Sequence, residues 1–187
     1  MTPRRTLLSR ITLSIAIASL AIALCTISFF ARAQDTPKPA PELKKLDYLV
    51  GTWRAEGELK PGPFGPGGKF ISTNRVAWMA GGFFLVTHSD FSGALGKGTE
   101  TAYMGYDADD KKYTYDSFNS LGEADHALGT LNGDTWTWLS ETRLRSHTSK
   151  GRLTMKILSP AAYTFKFETS PDGSAWTTLL EGKDTKQ

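Results

Sequence analysis

The sequence predicts an all-β protein: an antiparallel, up-and-down barrel of about ten strands with one short helix in front of it. From residue 69 onward, strand-like segments recur with turns at intervals of about ten residues, the spacing of a sandwich or barrel. The turns contain the glycine, asparagine and aspartate that tight hairpins require. Short connections pair neighbouring strands, and a sheet without covering helices must close to remove its two edges.

The first strand is predicted where a helix end runs into an alternating segment, L-D-Y-L-V-G-T-W-R-A-E-G-E-L at residues 46–59. Gly51 follows the apolar turn as a helix stop. From Trp53 onward apolar and polar residues alternate, which gives one apolar and one wet face. As the one large aromatic at the start of this strand, Trp53 is predicted to plug the closed end of the barrel.

A short helix is predicted over residues 42–50, because Leu43, Leu46, Leu49 and Val50 have helical spacing. Such a helix suits a lid or plug across one barrel end. Residues 61–68, rich in proline and glycine, form a loop. The other nine strands are predicted at about 69–79, 83–91, 99–106, 112–120, 124–131, 135–142, 150–158, 163–169 and 176–182.

Residues 1–33 are predicted to be a secretory signal peptide. Three arginines form its positive start, residues 11–30 are uncharged and mainly apolar, and Ala31-Arg32-Ala33 offers small residues to a signal peptidase. We expect cleavage between Ala33 and Gln34 and a periplasmic or secreted protein.

Two other interpretations of this leader remain open. Residues 11–30 are also about as long as a bilayer span, so the segment could instead be an uncleaved membrane anchor. Cys25 could mark a lipoprotein, although Leu24 before it is larger than the usual small residue.

The basic charge of the chain belongs to the leader. The leader holds four arginines and no acidic residue, so without them the formal net charge falls from +3 to −1. Nothing in this balance indicates a nucleic acid or an anionic membrane as a partner.

Residues 34–41 contain three prolines and are predicted to be a linker, followed by one domain over residues 42–187. That domain has no cysteine and must be stable without disulfides.

Several motifs resemble a known family. Gly51-Thr52-Trp53 is similar to the G-x-W start of lipocalin and related calycin barrels, where the tryptophan packs across the closed end. A fuller set of motifs resembles an uncharacterised family of secreted bacterial lipocalin-like domains: L-D-Y-L-V-G-T-W-R-A-E-G-E at 46–58, G-G-F-F-L-V at 81–86, G-Y-D-A-D-D-K-K-Y at 105–113 and S-P-D-G-S-A-W at 170–176. That family is distantly similar to nitrobindin-type barrels. The resemblance covers residues 43–183 and implies a fold but no agreed chemistry.

Two departures from these families bear on the site. Nitrobindin-like barrels that hold haem use a histidine late in the chain, whereas none follows His147 here, so no cofactor is expected. Lipocalin-type barrels pair the tryptophan with a basic residue on the last strand, usually arginine, and Lys183 is the residue expected to serve. A lysine can cap the ring but lacks the flat guanidinium stack.

The sequence predicts no catalytic residue and no metal site. His88, His126 and His147 fall on or beside three different strands without metal-ligand spacing. A nucleophile elbow and a phosphate loop are both missing from the sequence, and the aspartates at 107–110 fit a hairpin turn better than a calcium loop. Convergence of His126 with Asp116 or Glu141 inside the barrel would favour an enzyme.

The interior of the barrel is the remaining candidate site. A barrel this wide is difficult to fill with side chains alone, so an apolar cavity with a few polar groups is expected. The alternative is that the aromatic side chains meet and fill it. Polar residues expected to point inward are Asn74, Ser89, Thr101, Ser117, Asn119 and His126. The ligand-binding residues predicted from the alternation are Trp78, Tyr103, Tyr115, Ser117, His126, Trp138 and Phe165.

Three functions follow from these observations. The favoured one is a non-enzymatic secreted or periplasmic barrel that binds a small apolar or amphipathic molecule. The second is a structural or protein-interaction module with a filled barrel. The third, an enzyme acting on a small ligand inside the barrel, has the least support. The oligomeric state has no signature in the sequence.

Overall fold

A computed structural model describes residues 37–62, 65–94, 96–144 and 147–187, with the backbone alone at 142–144 and 147. The predicted signal peptide lies outside the described residues. Residues Lys38–Gln187 form one compact unit. Over the described ranges, no helix has the length and hydrophobicity that a membrane crossing needs.

Ten antiparallel strands follow one another around a closed barrel, and the last strand pairs with the first. This confirms the predicted all-β, ten-stranded, up-and-down barrel. A 3₁₀ helix spans Pro41–Leu49. The strands are β1 (Gly51–Leu59), β2 (Gly68–Trp78), β3 (Leu85–Gly93), β4 (Gly96–Asp107), β5 (Lys112–Asn119), β6 (Ala124–Asn132), β7 (Thr135–Leu144), β8 (His147–Ser159), β9 (Ala162–Ser170) and β10 (Thr177–Lys186).

The pairing register decides which side chains enter the barrel. In β1, Trp53, Ala55 and Leu59 are buried while the residues between them are exposed or half-buried, as the alternation predicted. Residues directly opposite in neighbouring strands share a face of the sheet. The inward set can therefore be followed from strand to strand around the whole barrel.

The helix is a 3₁₀ helix, one residue earlier than the predicted 42–50, and its leucines explain why. Leu43, Leu46 and Leu49 recur every three residues, and three residues per turn is the 3₁₀ period. Their exposed fractions are 5%, 0% and 3%. The apolar row packs with Trp53 and Leu85 in the core, so the predicted plug at one barrel end is confirmed.

Side chains of the barrel wall donate hydrogen bonds to this helix. Trp53 Nε1 donates to the carbonyl of Leu49 at 2.7 Å, Trp78 Nε1 to Asp47 Oδ1 at 2.8 Å, and the Tyr113 hydroxyl to the carbonyl of Glu42 at 3.1 Å. Three different strands therefore hold the helix, and the barrel is closed at the end where β1 begins.

The basic residue beside Trp53 is Lys186, and the role predicted for Lys183 was wrong. Lys186 Nζ lies 5.2 Å from the centre of the Trp53 ring. Lys183 is an exposed partner of Glu56, on the outer face of β10. Gly51 belongs to the same corner, since its φ is +127° and a Cβ there would lie 2.7 Å from Lys186 Cε.

Candidate ligand-binding site in the barrel lumen

Several inward-facing side chains in the middle of the barrel keep solvent-accessible surface. Glu100, Tyr115, Leu153, Phe165 and Phe167 all occupy inward positions and are only half-buried. Because strand pairing is continuous around the barrel wall, this surface reaches solvent through the lumen. The side chains of the barrel therefore do not fill its interior.

Aromatic rings line one wall of the lumen. Trp136 and Trp138 are stacked, with ring centres 5.8 Å apart and an interplanar angle of 9°. Tyr113 meets Trp136 edge-on at 4.7 Å, and Tyr115 lies 5.9 Å from Trp138. The rings run from the plugged end, where Trp136 joins the core, toward the middle of the barrel.

Inward-facing glycines let these rings lie flat against the wall. A Cβ on Gly129 would lie 2.5 Å from Cε3 of Trp138, its cross-strand partner. Gly57 and Gly182 face each other across β1 and β10, and a Cβ on either would lie within about 3 Å of the Phe165 ring. The rings therefore take the space that side chains would otherwise fill at these positions.

A polar network on β2, β9 and β10 faces the lumen. Asp184, only 2% exposed, accepts hydrogen bonds at Oδ2 from the Tyr163 hydroxyl at 2.6 Å and from Asn74 Nδ2 at 3.3 Å. Ser72 donates to Asn74 Oδ1 at 2.6 Å. Burial raises the pKa of Asp184, and the hydrogen bonds from Tyr163 and Asn74 oppose the rise.

A second polar group lies on β4, β5 and β6. The Tyr115 hydroxyl donates to Glu100 Oε1 at 3.1 Å, and the buried Ser117 is the cross-strand partner of Asp125 on the same face. Burial raises the pKa of Glu100, and the charge of Asp125 adds to the rise. Burial also raises the pKa of Asp125, and a hydrogen bond from Ser140 opposes this rise. The lumen therefore carries carboxyl groups on opposite sides.

Three buried polar atoms have no hydrogen-bond partner within the described part of the chain: Thr87 Oγ1, Trp136 Nε1 and Asp184 Oδ1. All three belong to residues at inward positions. Buried donors and acceptors are normally paired, because an unpaired one costs about 1–3 kcal/mol. These atoms are groups that a bound molecule could satisfy.

We expect Glu100→Gln to raise the thermal midpoint at about pH 7.5 and to have little effect at about pH 4. Since burial raises the folded-state pKa of Glu100 above its ordinary 4.5, the group favours folding at low pH and loses that contribution as pH rises through the raised value. Glutamine keeps the shape without the charge.

The measurement is thermal unfolding of both proteins at the two pH values, with an upward shift at the higher pH on the order of a few degrees. Glu141→Gln, on the exposed face of β7, is the control and should show no such difference. An equal shift at both pH values would show that the carboxylate charge is not the cause.

Four of the seven predicted ligand-binding residues come together in the lumen: Tyr115, Ser117, Trp138 and Phe165. Trp78 lies at the plugged end, where it holds the helix through Asp47. The inward orientation predicted for Tyr103 and His126 was wrong, since both are exposed on the outer face. Their cross-strand partners Val86 and Asp116 occupy outward positions and are half-buried.

The same register error affects Thr101, which shares its face with Tyr103. Asp116 and His126 do converge, at 2.7 Å between Oδ1 and Nδ1, but on the outer surface rather than inside the barrel. Their pairing therefore gives the lumen no acid or base. Over the described ranges, no group of three histidine, cysteine or acidic side chains is arranged to hold a metal ion.

The residues that sequence reasoning missed are the inward carboxyls Glu100, Asp125 and Asp184. Each is preceded and followed by residues that the register turns outward. The signal was available in β5, because Tyr115 and Ser117 were correctly placed and their cross-strand neighbours lie on the same face. Extending that face across β4 and β6 leads to Glu100 and Asp125.

A separate groove of about 590 Å³ lies outside the lumen, on the outer side of β1 to β4. Its lining is mainly outward-facing, with Arg54, Ile71, Thr73, Asp90 and Lys97 among its residues. Pro63 and Phe64, in the loop predicted at residues 61–68, lie outside the described residues.

Several solved structures have a similar fold, among them the two that follow. The crystal structure of Rv2717c from M. tuberculosis matches with a TM-score of 0.56 and 15% identity, covering 80% of this chain and 99% of that one. The S-type phycobiliprotein lyase CPES from Guillardia theta matches with a TM-score of 0.51 and 11% identity, covering 77% and 91%. At these identities the likeness shows the barrel fold alone.

None of the curated proteins matches the sequence significantly. A family model described as "Protein of unknown function (DUF1579)" matches residues 38–186, which include the helix and all ten strands. The chain therefore belongs to the DUF1579 family.

Proposed function

We propose that this protein is a non-enzymatic barrel that binds a small apolar or amphipathic molecule in its lumen. The observation that carries the proposal is the accessible surface of inward side chains, above all Tyr115 and Phe165, inside a closed wall. In a barrel filled by its own side chains these rings would be sealed.

The chemistry of the lumen fits such a ligand. Aromatic rings on one wall offer apolar contact, at about 0.8 kcal/mol for each buried methylene group. Polar groups lie opposite and beside them, and two of these groups, Thr87 and Asp184, have an unpaired atom. A mostly apolar cavity with a few polar groups is the usual form of a small-molecule site.

The comparison with solved structures is consistent with this proposal. One of the similar barrels belongs to a protein named a phycobiliprotein lyase, which shows that barrels of this shape occur in proteins that act on other molecules.

We further propose a periplasmic or secreted location, for which the support is the charge and hydrophobic pattern of residues 1–33.

The first test is native mass spectrometry of the protein purified from its own host, in which we expect a retained small molecule. The second is titration of ligand-stripped, folded protein with N-phenyl-1-naphthylamine, a neutral apolar fluorophore. We expect saturable quenching of tryptophan emission with a dissociation constant on the order of micromolar.

The matched control is Trp138→Phe, which keeps an aromatic wall but removes the tryptophan beside Tyr115. We expect it to bind the fluorophore and to show weaker quenching. Absence of a retained molecule, together with no saturable response to this or any other apolar probe, would contradict the proposal.

A second candidate is a protein-interaction module. Leu128 and Leu139 are cross-strand partners on the outer face and are 38% and 52% exposed. Phe84 packs over Gly105, which belongs to the same cross-strand row through Thr114. Adjacent exposed apolar side chains often mark a contact surface. A lumen that binds none of the probes would favour this candidate.

A further inference from the structure

The inward-facing charges of the barrel are mostly negative. Glu100, Asp125 and Asp184 occupy inward positions, and among the described inward residues Lys186 is the one basic side chain. Lys186 lies at the plugged end, over the Trp53 ring. In the middle of the barrel the carboxyls therefore face hydroxyl, amide and aromatic groups without a protein cation.

Glu100 and Asp125 lie on either side of Ser117. Ala102, Ser117 and Asp125 are in direct register across β4, β5 and β6, and Glu100 is the next inward residue along β4. Glu100 is half-buried, so its carboxyl can be reached from the lumen. Tyr115 connects this pair to the aromatic wall, because it donates to Glu100 and lies 5.9 Å from Trp138.

Independent evidence for a ligand comes from unpaired groups outside this acidic pair. Thr87 lies at an inward position of β3, opposite Ala102, and is 7% exposed. Its hydroxyl has no hydrogen-bond partner among the described residues. The Trp136 indole nitrogen, in a side chain 1% exposed, has none either. Polar groups buried this completely are normally satisfied by protein, water or ligand.

We propose that the lumen binds an amphipathic amine, with its ammonium group between Glu100 and Asp125 and its apolar body along Trp138 and Phe165. This rests on the proposed function and names the ligand class. An ammonium has three donors, and a carboxylate accepts without donating, so the two groups are complementary. A fatty acid would bring a third negative charge to the same place.

The test compares three molecules with the same ten-carbon chain: decylamine, decanol and decanoate. Each is titrated as a competitor of N-phenyl-1-naphthylamine on ligand-stripped protein, at about pH 7.5 and constant ionic strength. We expect decylamine to bind about tenfold more tightly than decanol, and decanoate to bind most weakly, since a desolvated ion pair adds what an uncharged head group lacks.

Glu100→Gln and Asp125→Asn test the two carboxyls separately. We expect each to weaken decylamine binding more than decanol binding, so that the preference for decylamine falls by about threefold or more. Glu141→Gln is the matched control, because it removes the same charge from the exposed outer face next to Ser140. Thermal unfolding of every variant shows that it is folded before titration.

Equal binding of decylamine and decanol would overturn the amine proposal while the apolar site stands. So would a preference that survives both substitutions. If none of the three molecules nor the fluorophore binds folded protein, the proposed function itself fails.

Discussion

Trp53→Ala should lower the free energy of unfolding by about 3–5 kcal/mol, the cost of truncating a large buried aromatic. The side chain is 1% exposed and contacts the rings of Tyr48 and Tyr163, with centres 5.5 and 5.1 Å away. Its indole also donates to the carbonyl of Leu49, so truncation leaves both a cavity and an unpaired helix end.

Chemical denaturation of the two proteins measures this difference, with the midpoint falling and the slope unchanged. Trp53→Phe is the matched control, because it keeps most of the ring contacts and removes only the indole donor. The free energy of unfolding of Trp53→Phe should lie between those of the wild type and Trp53→Ala. A denaturation midpoint that does not move in Trp53→Ala would contradict the role of Trp53 as the plug of the closed end.

The strands and the closure of the barrel could be predicted because their signals are local. Glycine, asparagine and aspartate mark the turns, and short turns pair each strand with the next. The spacing of Leu43, Leu46 and Leu49 indicates the 3₁₀ period as well, although the prediction named only a short helix.

The lumen was harder to predict, because alternation gives two faces without saying which one is inside. In β4, the large ring of Tyr103 suggested an inward face, yet the register with Leu85 and Tyr115 turns Met104 inward instead. The inward residues of this strand include Gly98, Glu100 and Ala102, which look like a solvent face by composition. A one-residue shift exchanges the whole set.

Buried carboxyls escape sequence reasoning for a different reason. An acidic residue on a strand is usually exposed, so nothing in the sequence singles out Glu100, Asp125 and Asp184 as inward residues. Their burial depends on hydrogen bonds from partners distant in sequence, such as Asn74, which lies 110 positions from Asp184. Strand register also explains why Lys186 and not Lys183 lies beside Trp53, since of the two only Lys186 shares a face of the sheet with Trp53.

Leu46→Ala should lower the free energy of unfolding by about 2–5 kcal/mol, the range for a buried leucine. Leu46 is fully buried in the row that the helix presents to the core. A 3₁₀ helix of nine residues is longer than its own hydrogen bonds usually sustain, so packing must stabilise it. Loss of that packing should also loosen the hydrogen bonds from Trp78 and Tyr113.

Denaturation gives the global effect of Leu46→Ala, and hydrogen exchange of residues 41–49 gives the local one. We expect faster exchange in the helix than in the strands, because each strand pairs on both sides within a closed barrel. Lys45→Ala, on the exposed side of the same helix, should change neither quantity. If helix and strands instead lost protection equally, the plug and the barrel would be one cooperative unit, and opening at this end would require unfolding the whole domain.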